Sequence, residues 1–157
     1  MKELQKKFEQ FKQELQDYNK LSKIDFLLKY EPSFKDDILK DYRLYITDNS
    51  DEDPDNILDY EEWKEEFEDE VSDDLQEQIN TYFSYCSIEH FSSKYNDIWD
   101  VVTATGWPHI ELRVESKWEK VTWKWIWWWD IYEWDLSYYY DTILDLYNLY
   151  INQKHYD

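Results

Sequence analysis

Sixteen carboxylates and a single base, Lys64, occupy the thirty residues from Asp48 to Glu77. Side chains of that kind at that density have three chemistries open to them. They can ligate a hard cation, work as an acid and base pair, or present a field of negative charge to a basic partner. Spacing bears on the first. Counted from Asp51, the acids Asp51, Asp53, Asp55, Asp59 and Glu62 fall at positions one, three, five, nine and twelve of a twelve-residue loop, with Leu58 at the apolar eighth. That pattern resembles an EF-hand calcium loop, whose ligands converge on one ion at those spacings. It departs from the motif at position six, where Asn56 replaces the usual glycine, and at position four, which is Pro54; no second loop pairs with it.

The second chemistry has less support. A glycosidase pair needs two carboxyl groups held about 5 to 10 Å apart across a pocket, and no two acids here are singled out by spacing. There is no phosphate-binding glycine loop and no nucleophile elbow, and His90, His109 and His155 stand alone. Lone Cys86 excludes an intramolecular disulfide and, with only three scattered histidines, speaks against a Cys/His zinc site. The expectation is a protein that is not an enzyme, with no cofactor and no metal.

The third chemistry is the one the charge distribution favours. The net charge of −20 divides as +2 over residues 1–30, −1 over 31–47, −15 over 48–78 and −6 over 79–157. Such a block opposes folding by self-repulsion and is relieved by disorder, a cation or a basic partner. Disorder of the whole chain is opposed by its aromatic content of 20%, with ten Trp and fifteen Tyr. If Asp59 to Glu77 is helical, its nineteen residues span about 28 Å and carry about one carboxylate per 2.6 Å of axis. One DNA strand carries about one phosphate per 3.4 Å and the duplex about one per 1.7 Å. The acidic segment falls between those densities, so a groove lined by Arg and Lys would accept it, and direct binding of nucleic acid is disfavoured.

The elements that must position these acids are mostly helical. With one Gly and three Pro, the chain has few residues for the positive-φ turns of an all-β protein. Leu4, Phe8, Phe11, Leu15 and Tyr18 form one stripe of an N-terminal helix. Ser22 is placed to cap a second helix through Tyr30. Beyond Pro32 a third runs from Ser33, where Asp36 completes a capping box, to about Ile46. Pro54 fits the first turn of a further helix. Tyr60, Trp63, Phe67 and Val71 make its apolar seam, continued by Leu75, Ile79 and Tyr82 unless Ser72 caps a new helix. Past about Phe91 the period shortens to two. Ile110, Leu112 and Val114 alternate with charged residues, as do Val121, Trp123, Trp125, Trp127 and Trp129 with their neighbours, and both runs read as antiparallel strands. A helix through 118–134 is the rival reading, and Leu136 to Ile151 reads as a C-terminal helix. The expected fold is a single α+β domain over 1–157, mostly helical, with a small antiparallel sheet in the Trp-rich region 108–130.

By charge and composition the chain resembles phage-encoded DNA mimics, the small acidic proteins that inhibit restriction enzymes and CRISPR nucleases. What the resemblance implies is an anti-CRISPR-like inhibitor that occupies a basic, nucleic-acid-binding surface of a nuclease, without touching nucleic acid or membrane itself. An immunity protein or antitoxin directed at a basic toxin nuclease is the alternative, and a calcium-binding protein the third. The expected contacts are Glu61, Glu62, Glu65, Glu66, Glu68, Asp69, Asp73 and Asp74, with Trp128 as an aromatic contact because it faces away from Trp127 and Trp129. The N-terminal stretch MKELQKKFEQFKQELQ lacks the apolar core of a signal peptide, so the expected compartment is the cytoplasm.

Overall fold

In the computed structural model, which describes residues 2–149, the apolar stripe of the N-terminus forms α1 (Lys2–Lys20) with Leu4, Phe8 and Leu15 buried. The chain divides into two compact units. One combines residues 1–19 with residues 83 onward; the other is the continuous segment Lys20–Tyr82.

The continuous unit holds four helices. Ser22 caps α2 (Lys23–Tyr30) as expected, its hydroxyl accepting the Asp25 N–H at 3.2 Å. α3 (Phe34–Asp48) starts differently. Ser33 already has helical angles (φ −80°, ψ −15°) and its side chain makes no capping bond, so the anticipated capping box with Asp36 is not formed. Pro54 does begin a helical turn, but a 3₁₀ turn of three residues, Pro54–Asn56, which Ile57 ends in an extended conformation. The acidic helix proper is α4 (Tyr60–Glu70), capped by Asp59, whose carboxylate accepts the Glu62 N–H at 2.9 Å. Val71 leaves helical geometry and α5 (Ser72–Tyr82) starts afresh. The acids therefore ride on two eleven-residue helices and not on one continuous rod. Trp63, Leu75 and Ile79 are buried, and α4 and α5 both pack on α2. Tyr42 and Tyr45 of α3 hold the connection between α3 and α4. The Tyr42 hydroxyl donates to the Leu58 carbonyl at 3.1 Å, and the Leu58 N–H donates to the Tyr45 hydroxyl at 3.0 Å.

The other unit is α+β, and its sheet is larger than the sequence indicated. Five antiparallel strands follow one another in order: β1 (Ser87–Ser93), β2 (Asn96–Ala104), β3 (His109–Glu115), β4 (Lys120–Trp127) and β5 (Asp130–Asp135). The rival helix for 118–134 is excluded, because β4 and β5 pair from Trp127 opposite Asp130 to Thr122 opposite Asp135. One face carries Val101, Leu112, Trp123 and Trp134 in a cross-strand row, with Trp99, Val114 and Val121 in the next. α1 lies on this face: Phe8 stacks on Trp134 at 5.5 Å and meets Trp123 at 5.6 Å. On the opposite face Arg113 pairs with Asp100 directly across β2 and β3. The C-terminal helix is shorter than expected, α6 (Tyr140–Leu146), preceded by a 3₁₀ turn at Ser137–Tyr139; Tyr150 and Ile151 lie outside the described residues. Among the described residues no helix is long and apolar enough to cross a membrane.

Candidate functional site

A helix with seven carboxylates in eleven residues needs a reason to fold, and α4 finds it in its seam. Trp63 stacks on Phe67 at 4.7 Å and meets Tyr42 at 5.1 Å, so the apolar stripe is fastened to α3 while the rest of the circumference stays outside. Glu61, Glu62, Glu65, Glu66 and Asp69 are exposed on α4, and Asp73 and Asp74 are exposed on the first turn of α5. Acids in a first turn are favourable, because the unpaired N–H groups there carry partial positive charge. Glu68 is different. It is half-buried, and its carboxylate accepts the backbone N–H of Ile24 at 2.8 Å, which joins α4 to the first turn of α2. Of the eight expected contacts, Glu68 is the half-buried one, and it ties two helices together.

Lys64, the segment's only base, is also turned inward. Its ammonium lies 3.1 Å from both Asp25 and Glu61. Burial pulls its pKa down, but the hydrogen bonds to Asp25 and Glu61 outweigh that and hold it above the ordinary lysine value. The remaining outward carboxylates have no cation within their own segment. The Glu62 carboxyl is pushed above the ordinary value, first by a shared hydrogen bond with Asp59 and then by the charge of Asp59.

Acids outside the block join those inside it. Glu31 and Asp37, from the loop before α3 and its first turn, face Asp74 and Glu77 of α5 across an open groove of about 440 Å³, with Phe34 at its side. Sequence reasoning missed Glu31 and Asp37 because nothing in their neighbourhood marks them; only the packing of α2, α3 and α5 brings them to Asp74.

Four acids of the calcium-like pattern, Asp51, Asp53, Asp55 and Asp59, sit between α3 and α4, and the fifth, Glu62, is in the first turn of α4. They do not converge. Asp53 accepts the Asp55 N–H, Asp59 accepts the Glu62 N–H, and among the described residues no group of three or more His, Cys, Asp or Glu side chains is arranged to hold a metal ion. The histidines have local partners: His90 is 3.0 Å from Asp97 and stacks on Trp99, and His109 is 3.3 Å from Glu111. His155 lies outside the described residues.

Trp128 is exposed, but not for the reason expected. β4 ends at Trp127, so Trp128 and Trp129 form the turn into β5 and do not continue the strand alternation. Trp128 stacks on Trp107 of the β2–β3 loop, with ring centres 5.1 Å apart and planes within 10°. Trp107 was not among the expected contacts. Comparison of the chain with protein-family models, with curated proteins and with solved structures finds no match.

Proposed function

We propose that this chain is a non-catalytic inhibitor that docks the carboxylates of α4 and α5 on the basic surface of a nucleic-acid-binding enzyme, a nuclease of the CRISPR or restriction type. The observation that carries this reading is the outward set Glu62, Glu65, Glu66 and Asp69 on α4, a helix fastened to the fold by buried Trp63 and its stacking on Phe67. Eleven helical residues span about 16 Å, so seven carboxylates give about one per 2.4 Å of axis, within the range set by single and double strands. A surface built to attract phosphates gains from such an array by releasing its own counterions. The groove beside Asp74 adds the acids Glu31, Asp37 and Glu77 to this surface.

The test is a cleavage assay with CRISPR and restriction nucleases, run with the wild-type protein and with a variant in which Glu65, Glu66, Asp69 and Asp73 are changed to Lys. All four are exposed, so the fold, followed by circular dichroism, should survive. Inhibition should weaken as salt is raised and should fall at least tenfold in the variant. Undiminished inhibition would remove α4 and α5 from the interface, and absence of inhibition at low salt would defeat the reading.

A further inference from the structure

The chain places its only glycine, Gly106, at a φ of +88° in the β2–β3 loop, and gives the equally demanding turn between β4 and β5 a tryptophan. Trp127 pairs with Asp130, so Trp128 and Trp129 are a two-residue hairpin loop, and Trp128 sits at φ +54°. The first position of such a loop favours glycine when it alone has positive φ. A bulky side chain there is strained, and strain that persists invites a functional explanation.

What the strained backbone achieves is a cluster of exposed indoles. Trp107, Trp127, Trp128 and Trp129 are 52%, 38%, 57% and 94% exposed. Trp107 and Trp128 lie face to face, while Trp127 stands edge-on to both, at 84° and 86°. Behind them Trp127 stacks on Trp125 at 6.2 Å, which ties the cluster to the interior of the sheet. Trp107, Trp127 and Trp128 thus support one another and have fewer rotamers to lose on binding, as interface anchors require.

Charge selects the occupant. Residues 103–110 and 125–132 contain no Lys or Arg, and Asp130 is their only carboxylate. Phosphates and anionic lipids find no Lys or Arg here, and the one histidine of these segments, His109, is held 3.3 Å from Glu111; a second copy of a chain of charge −20 would be repelled. The faces of indoles carry negative electrostatic potential, and guanidinium groups stack on them better than ammonium groups do. We infer that this aromatic platform is a second docking surface, which takes arginine side chains of a basic protein partner. The inference rests on the reading that the partner is a basic protein, but it assigns a different unit of the chain to the contact and a different chemistry to the recognition.

The experiment titrates the full chain with nona-arginine and nona-lysine peptides, following tryptophan fluorescence and calorimetry at low and moderate salt. The wild type should bind the arginine peptide at least about fivefold more tightly, as a few stacked guanidinium groups would give. Trp128→Gly should raise the thermal midpoint, because the strain is relieved, and should bring the two affinities together. Trp107→Ala, on the other loop, should do the same to the affinities without touching the strained turn. Trp118→Ala is the control, since that exposed indole already lies under the chain's own Lys117 at 4.9 Å; the arginine preference should remain. Equal binding of the two peptides by the wild type, or a preference that survives both Trp128→Gly and Trp107→Ala, would overturn the inference. So would binding of the platform to phosphatidylcholine vesicles or to neutral oligosaccharides in place of the arginine peptide, or self-association lost in Trp128→Gly. The Lys variant of α4 and α5 separates the two proposals. If it weakens both peptides equally and the wild type shows no preference, the acidic surface stands and the platform falls. If it changes neither affinity while Trp128→Gly removes the preference, the platform stands and the acidic surface falls.

Discussion

The Glu68 carboxylate lies 2.8 Å from the backbone nitrogen of Ile24, at the first turn of α2, so one acid of the most acidic helix acts as a clasp between two helices. A carboxylate accepting a helix N-terminal N–H is favoured by the helix dipole and by the charge of the acceptor. Glu68→Ala is predicted to lower unfolding stability by about 1–2 kcal/mol in urea titration. Glu65→Ala, on the same helix but exposed, should change it by less than about 0.5 kcal/mol. Equal losses would mean that Glu68 holds nothing.

Acidification should reveal the crowding at the start of α4. The Glu62 carboxyl is pushed above its ordinary 4.5 by the hydrogen bond and charge of Asp59. A carboxyl that binds its proton more tightly in the folded chain stabilises the fold below its unfolded pKa and loses that contribution as pH rises through the folded one. The predicted result is a urea midpoint that declines as pH rises from 4.5 through the folded value. Asp59→Asn keeps the cap and removes the charge, so the decline should flatten, and carbon NMR should show Glu62 titrating lower. A Glu62 titration unmoved by Asp59→Asn would sink the assignment.

Lys64→Gln should act in the same electrostatic direction. Its ammonium is 3.1 Å from both Asp25 and Glu61, but Glu61 is well exposed, so solvent screens much of the attraction. A loss of about 0.5–1 kcal/mol is predicted, together with a stronger stabilisation by added salt than the wild type shows. Salt responses that match in the two proteins would argue that the segment's self-repulsion is already screened.

Across β2 and β3 the Arg113 guanidinium grips Asp100 with two hydrogen bonds, Nε to one carboxylate oxygen at 2.9 Å and a terminal nitrogen to the other at 3.1 Å. Asp100 is buried, whereas Arg113 is partly exposed. Arg113→Lys keeps the charge and forfeits the paired geometry, and should still cost about 1–2 kcal/mol of stability by thermal unfolding. Full rescue by Lys would show that charge alone matters at this position.

Most helices and the strands β3 and β4 were legible because each announces itself within its own window: Leu4, Phe8 and Leu15 at helical spacing, Ser22 before α2, Leu112 and Val114 alternating with charge. β2 was not. Trp99, Asp100, Val101 and Val102 are all buried in succession, and Asp100 becomes tolerable there only through Arg113, thirteen residues away on another strand. The break at Val71 carries neither Gly nor Pro, so nothing local marked it beyond the capping potential of Ser72 and its acids. At the candidate sites the same limit applied. Exposure of Glu65, Glu66 and Asp69 followed from the helical wheel, but the Glu68 clasp, the meeting of Glu31 with Asp74, and the stacking of Trp107 on Trp128 are long-range and have no signature in either segment.

The division of the chain also sets an order of completion during synthesis. Phe8 of α1 belongs against Trp123 and Trp134, which a ribosome adds more than a hundred residues later, whereas every element of the acidic unit has been made once Tyr82 is in place. Phe11 and Tyr18 of α1 find Phe83 soon after that, but the Phe8 end of the stripe stays unmatched until β4 and β5 have been made.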